Sequence, residues 1–104
     1  MSLKKYSVRI TDDFIQDTIE VSTRIRIEYG NPIAAERLLE RVRSAIEKRS
    51  EDPLMFPPYP YITKSNDIYY HINVGNYSVF YVIIDDVMDV RRFIYARRSI
   101  GYII

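Results

Sequence analysis

The chain has no cysteine, no tryptophan, one histidine and only three glycines among its 104 residues. Without cysteine there is neither a disulfide framework nor a thiolate metal site, and a reducing compartment fits. One histidine cannot complete a metal site, and the acidic pairs Asp12-Asp13 and Asp85-Asp86 lack ligand spacing, so we expect no metal and no other cofactor. There is no glycine-rich phosphate loop, no nucleophile elbow and no Cys–His pair. An excess of charge of one sign is also missing: 15 Lys and Arg against 14 Asp and Glu leave a net charge of +1. No global basic field advertises nucleic acid, so any such role must come from a local patch. No apolar run approaches the roughly 20 residues of a membrane-spanning helix. The N-terminus lacks the apolar core of a secretory signal, which makes the cytoplasm the expected compartment, with no membrane partner.

What is present is enough apolar residue, 47%, for one real core, and a length that suits a single domain over residues 1–104. The stretch from Tyr69 to Arg98 organises it. Three β-branched and aromatic runs are divided by Gly75-Asn76 and Asp85-Asp86, residues that supply turn backbone angles. This predicts a three-strand antiparallel meander. Upstream, Tyr6, Val8 and Ile10 alternate with Ser7 and Arg9 as in a half-buried strand. Thr11 or Asp12 can cap a first helix over about 12–30, whose apolar face is Phe14, Thr18, Val21, Ile25 and Tyr29. Gly30-Asn31-Pro32 then ends one helix and starts the next. The second helix, from about Pro32 to Arg49, carries a stripe of Ala35, Leu38, Leu39, Val42, Ala45 and Ile46. Four prolines between Pro53 and Pro60 make a loop that Phe56, Tyr59 and Tyr61 should pin to the core. The expected fold is α+β: an N-terminal strand, an antiparallel helical hairpin and the meander, with the first strand adding to an edge of the sheet.

Two features invite chemistry. The last strand carries Arg91, Arg92, Tyr95, Arg97 and Arg98. Strict alternation puts Arg91, Phe93, Tyr95 and Arg97 on one side and Arg92, Ile94, Ala96 and Arg98 on the other. Planar guanidiniums suit phosphate, and interleaved aromatics stack on bases. The plainer alternative is an edge strand whose arginines pair with Asp85, Asp86, Asp89 and acidic helix surfaces. The lone His71 is placed with Tyr69 and Asn73 on the more polar face of its strand, where it is a candidate acid or base and, more ordinarily, a hydrogen-bonded surface residue. Of the ten tyrosines, Tyr6, Tyr29 and Tyr81 fall at core-like positions, and Tyr95 alone sits among arginines.

The order of elements, together with Val74-Gly75-Asn76-Tyr77-x-Val79-Phe80-Tyr81 and Val90-x-Arg92-Phe93-Ile94-Tyr95-Ala96-Arg97-Arg98, resembles the RelE/ParE superfamily of bacterial type II toxin–antitoxin toxins over nearly the full length. The resemblance implies a small toxin neutralised by a cognate antitoxin. It implies one of two targets: messenger RNA on the ribosome, cleaved with the ribose 2′-hydroxyl as nucleophile, or DNA gyrase, blocked without catalysis. In the RNA-cleaving branch, which the sequence slightly favours, positions carried over give His71, Tyr95 and Arg98 as catalytic and Asn73, Arg91, Arg92 and Arg97 as RNA- and phosphate-binding. The chain departs from that branch where His71, Asn73 and Ser78 stand at positions often held by Lys or Arg, and where Ser99 follows Arg97-Arg98 in place of Asp.

Overall fold

The local signals at both helix starts act as expected. In the computed structural model, which describes residues 6–61, 63–97 and 104, β1 (Ser7–Ile10) runs directly into α1 (Asp12–Ile27). The Thr11 hydroxyl oxygen accepts the Phe14 amide at 3.2 Å, and Asp12 and Asp13 occupy the first turn, where the helix dipole favours anions. Gly30 takes φ +58°, and the Asn31 amide turns back to the Ile25 carbonyl at 3.1 Å. Asn31 then caps α2 (Pro32–Arg49) by accepting the Ala34 amide, with Pro32 in the first turn. The first helix ends at Ile27, short of the expected 30. Tyr29 therefore falls in the turn and is 70% exposed, not in the core where its spacing pointed.

The meander is β2 (Tyr70–Val74), β3 (Tyr77–Ile84) and β4 (Val87–Tyr95), with left-handed Gly75 and Asp85 in its two tight turns. The sheet order is β1-β4-β3-β2, and β1 lies parallel to β4. The basic strand is thus an interior strand, not the edge strand of the plainer reading. Both helices lie over one face. Phe14, Val21, Leu38, Val42 and Ile46 meet Ile72, Val74, Val79, Tyr81, Met88, Val90 and Phe93 there. Leu39 is only half-buried. The other face is closed by Tyr69, Phe80, Val82, Ile94 and Ile104, with Tyr59 packed on them. Tyr59 does pin the proline-rich loop, but Phe56 and Tyr61 remain 48% and 70% exposed.

Strict alternation fails once, in β4. Tyr81 faces Val90 and Phe80 faces Arg92, so Arg91 is an extra residue without an opposite number. The bulge is why Val90 and Phe93, three apart, share the helix-covered face. The Thr11 hydroxyl lies 3.1 Å from the Val90 carbonyl and 3.0 Å from that of Arg91, so one residue caps α1 and holds the bulge. Beyond the end of β1, the Phe93 amide would lack a strand partner on that side. The Asp17 carboxylate of α1 accepts it at 2.9 Å and takes two bonds from Arg92 at 2.7 and 3.0 Å. Asp89, its side chain 2% exposed, accepts from Arg9 at 2.7 Å and Arg91 at 2.8 Å, and Arg91 also reaches Asp67 at 2.8 Å.

Two stability predictions come from these contacts. Replacing Asp17 by Ala removes a charged cap from a part-buried amide and an ion pair, and should cost about 2–3 kcal/mol in urea unfolding. An unchanged midpoint would show that α1 is held by apolar packing alone. Hydrogen bonds from Arg9, aided by Arg91, hold the Asp89 carboxyl below its ordinary 3.8 despite burial. Its stabilisation is therefore complete above about pH 4 and is lost as pH falls through the depressed folded value. The stability gap between wild type and Asp89→Asn, about 1–3 kcal/mol at neutral pH, should narrow on acidification below about pH 4. A gap that stays constant down to acid unfolding would remove Asp89 from the acid response.

Candidate functional site

The residues singled out in the sequence divide between the two faces of the sheet. His71 faces away from the helices. Its ring lies 5.2 Å from that of Tyr59 and 5.9 Å from that of Phe80, its cross-strand partner. Asn73 follows on the same face and is exposed; its amide oxygen accepts the hydroxyl of buried Ser78 at 2.9 Å. Tyr95 pairs with Tyr77 across β3 and β4, ring to ring at 5.5 Å, and Tyr77 in turn stacks on Phe93 at 5.0 Å. Phe93 belongs to the core beneath the helices. His71 and Tyr95 therefore lie on opposite sides of the sheet and are not brought together.

The cations divide likewise. Arg91 and Arg92 are half-buried and engaged by Asp89, Asp67 and Asp17. The hydrogen bond from Arg92 to Asp17 raises its pKa above the ordinary value, as a committed ion pair does. Arg91 and Arg92 also line a cleft of about 320 Å³ beside the start of α1, together with Lys64, Asp13 and Asp67, so its charge is mixed. Arg97 is exposed just past the end of β4, where the Ala96 amide closes onto the Asn76 carbonyl at 2.8 Å. Arg98 and the residues after it as far as 103 lie outside the described residues. Among the described residues no group of carboxylates and histidine is placed to hold a metal ion, and no helix is long and apolar enough to cross a membrane.

Sequence reasoning passed over Arg49. It ends α2 and donates to the His71 carbonyl at 3.1 Å and to the Tyr81 hydroxyl at 3.0 Å, and its guanidinium stacks 4.1 Å over the Phe56 ring. The Tyr81 hydroxyl in turn donates a hydrogen bond to the Pro53 carbonyl at 2.7 Å. This junction ties the proline-rich loop to the sheet behind His71. Burial, with a smaller contribution from Arg49, pushes the imidazole pKa below 6.5, so the ring is neutral at pH 7. A basic residue in the last helical turn was visible in the sequence. What it would reach was not, because its partners are 22 and 32 residues away.

A second surface feature is a mainly apolar groove of about 470 Å³ between β1, the outer strand among the described residues, and the two helices. Val8 and Ile10 of β1, Phe14 and Thr18 of α1, and Leu39, Val42 and Ile46 of α2 line it, together with Arg43 and Glu47. Val8 and Ile10 are each 39% exposed.

With this geometry in place, the comparisons with known proteins are consistent. Residues 8–100 match the family model described as the ParE toxin of the type II toxin–antitoxin system parDE. Among curated protein sequences none matches significantly. Several solved structures share the fold, three of them as follows. A chain of the chromosomal ParDE system from P. aeruginosa superposes with a TM-score of 0.74 at 9% identity, covering 89% of this chain and 98% of that one. A chain of a RelBE toxin–antitoxin complex from Mycobacterium tuberculosis gives 0.57 at 21% identity, with 88% and 99% covered. An archaeal RelE–RelB complex from Pyrococcus horikoshii gives 0.54 at 17% identity, with 92% and 100% covered. The match over residues 8–100 places the chain in the ParE toxin family of type II toxin–antitoxin systems.

Proposed function

We propose that this toxin is held by a cognate antitoxin in the groove beside β1, and that it acts by binding DNA gyrase and not by cleaving RNA. The antitoxin reading is supported by the mainly apolar, open groove, since an outer strand beside an apolar trough suits an extended or helical segment. The gyrase reading rests chiefly on the separation of His71 from Tyr95. Cleavage through a ribose 2′-hydroxyl needs a proton carrier and cations converging on one phosphate. Here the two proton carriers are on opposite faces, and Arg91 and Arg92 are neutralised by carboxylates. Asn73 and Ser78 bond to each other where the RNA-cleaving relatives often place cations. Arg97, exposed just past the end of β4, is then a protein contact.

One observation favours the ribosome-dependent nuclease as the second reading: burial keeps the His71 imidazole neutral, the form a general base requires. In that reading His71 takes the 2′-hydroxyl proton, and Arg97 and Arg98 hold the phosphate. Gyrase supercoiling and ribosome-dependent cleavage of a defined messenger, measured on the same purified variants, separate the two. We expect inhibited supercoiling, no cleavage, and less than about a tenfold change in inhibition for His71→Ala, against the 10²–10⁴-fold loss that follows removal of a general acid or base. Messenger cleavage by the wild type that disappears in His71→Ala would overturn the gyrase reading. The lowered pKa of His71 has its own signature. Its contribution to stability is full above 6.5 and declines as pH falls through the depressed folded value. His71→Gln should flatten the pH dependence of urea stability between about pH 5 and 7.5.

A further inference from the structure

The first helix is apolar on two sides. Phe14, Val21 and Ile25 pack into the core, yet Ile15, Ile19 and Ile27 on the opposite side are 45%, 51% and 76% exposed. A helix with apolar residues on both sides is normally covered on both. The charges around this outer face form a pattern. Asp12, Ile19 and Arg26 follow one another at intervals of seven residues, two helical turns, so they stand in one line along the exposed surface with Ile19 at its centre. The acid lies as far before Ile19 as the base lies after it. Among the described residues neither Asp12 nor Arg26 is tied to an intrachain ion pair.

We infer that α1 pairs antiparallel with α1 of a second copy of this chain, about a twofold axis at Ile19. In that arrangement Asp12 meets Arg26 of the partner subunit, and the same contact recurs on the other side of the axis. The two Ile19 side chains meet at the centre, and Ile15 lies against the partner's Thr23. The face is self-complementary in charge, which a surface destined for an unrelated protein need not be. One helix against another is at the small end of interface sizes, below about 1,200 Å² in total. The dimer is accordingly weak and belongs at protein concentrations of about 0.1–0.5 mM. The groove beside β1 is on a different side of α1, lined by Phe14 and Thr18, so the dimer leaves it open.

The twofold and the absence of cysteine make the test direct. Ile19→Cys gives a protein with a single thiol, placed on the axis, which mild oxidation should convert to a disulfide-linked dimer. Ser44→Cys, exposed on α2 beside Asn73 and Val74 of β2, should not cross-link under the same conditions. In sedimentation equilibrium, Asp12→Arg or Arg26→Asp alone turns two attractive pairs into two repulsive ones and should weaken association roughly tenfold or more. The double variant Asp12→Arg with Arg26→Asp should recover most of that loss. Recovery excludes misfolding as the cause of the single-variant effects. A wild-type chain that stays monomeric to about 0.5 mM, a double variant that remains as weak as the singles, or equal cross-linking at Ser44→Cys and Ile19→Cys would each overturn the proposal. So would protection of an Ile19→Cys thiol only on addition of the antitoxin, which would assign the face to that partner.

Discussion

The Asp17 carboxylate is the joint on which the domain closes. It satisfies the Phe93 amide past the end of β1 and neutralises Arg92, so the helical hairpin is fixed to the interior strand by three charge-assisted bonds from one residue. Apolar contact alone is non-directional and would let α1 slide along the sheet. The carboxylate sets its register. Asp89 acts in the same way one bulge earlier, joining β1 to β4 through Arg9 and holding Arg91 on the same strand. Charges therefore work inside the fold, among them the carboxylates of Asp17 and Asp89 and the guanidiniums of Arg9, Arg91 and Arg92.

The bulge at Arg91 makes this possible. Without the extra residue, Phe93 would sit on the face away from the helices, since side chains alternate with period two. The core beneath α1 would then lose an aromatic that meets Phe14 edge-on at 6.0 Å. The insertion turns Phe93 inward, frees Arg91 toward Asp89 and Asp67, and leaves Arg92 reaching α1. Thr11 fastens the bulge carbonyls while capping the helix. A strand that reads as a basic surface is in fact an internal support with its charge spent on neighbours.

Much of the architecture was legible because its signals are local. Gly75-Asn76 and Asp85-Asp86 mark both hairpin turns, Asn31-Pro32 marks the start of α2, and the Leu38–Val42–Ile46 stripe faces the sheet. Whether the arginine-rich strand lay at an edge stayed open because sequence shows composition, not which strand lies beside it: β1, some 80 residues away, takes the outer position. Strict alternation sorted Arg91 and Arg92 to faces, but a bulge leaves no mark in a run of β-formers. Tyr29 looked like core because its spacing continues the apolar face of α1, yet Gly30 ends the helix first. For the site, the residues were visible and their relations were not. Placing His71 and Tyr95 on opposite faces takes the register of three strands at once. Arg49 was one more helix-end cation until the loop it clasps was in place.

The consequence for function is topological. Among the described residues, one face of the meander packs under the helices, and the other is covered in part by Tyr59 and Ile104, with Asn73 left exposed. The half-buried Arg91 and Arg92 at the sheet's centre have carboxylate partners. What stays accessible is peripheral: the groove beside β1, the outer line of α1, Arg97 past the end of β4 and the Leu54–Phe56 tip of the loop, whose three side chains are 48%, 65% and 48% exposed. These are apolar or mixed surfaces on different sides of a small domain. Through such surfaces the proposed protein contacts would form, with affinity drawn from burying aromatic and aliphatic anchors. A toxin built this way can be engaged at one surface by its antitoxin while another remains free, because the rigid sheet between them is held by Asp17 and Asp89 and not by either partner.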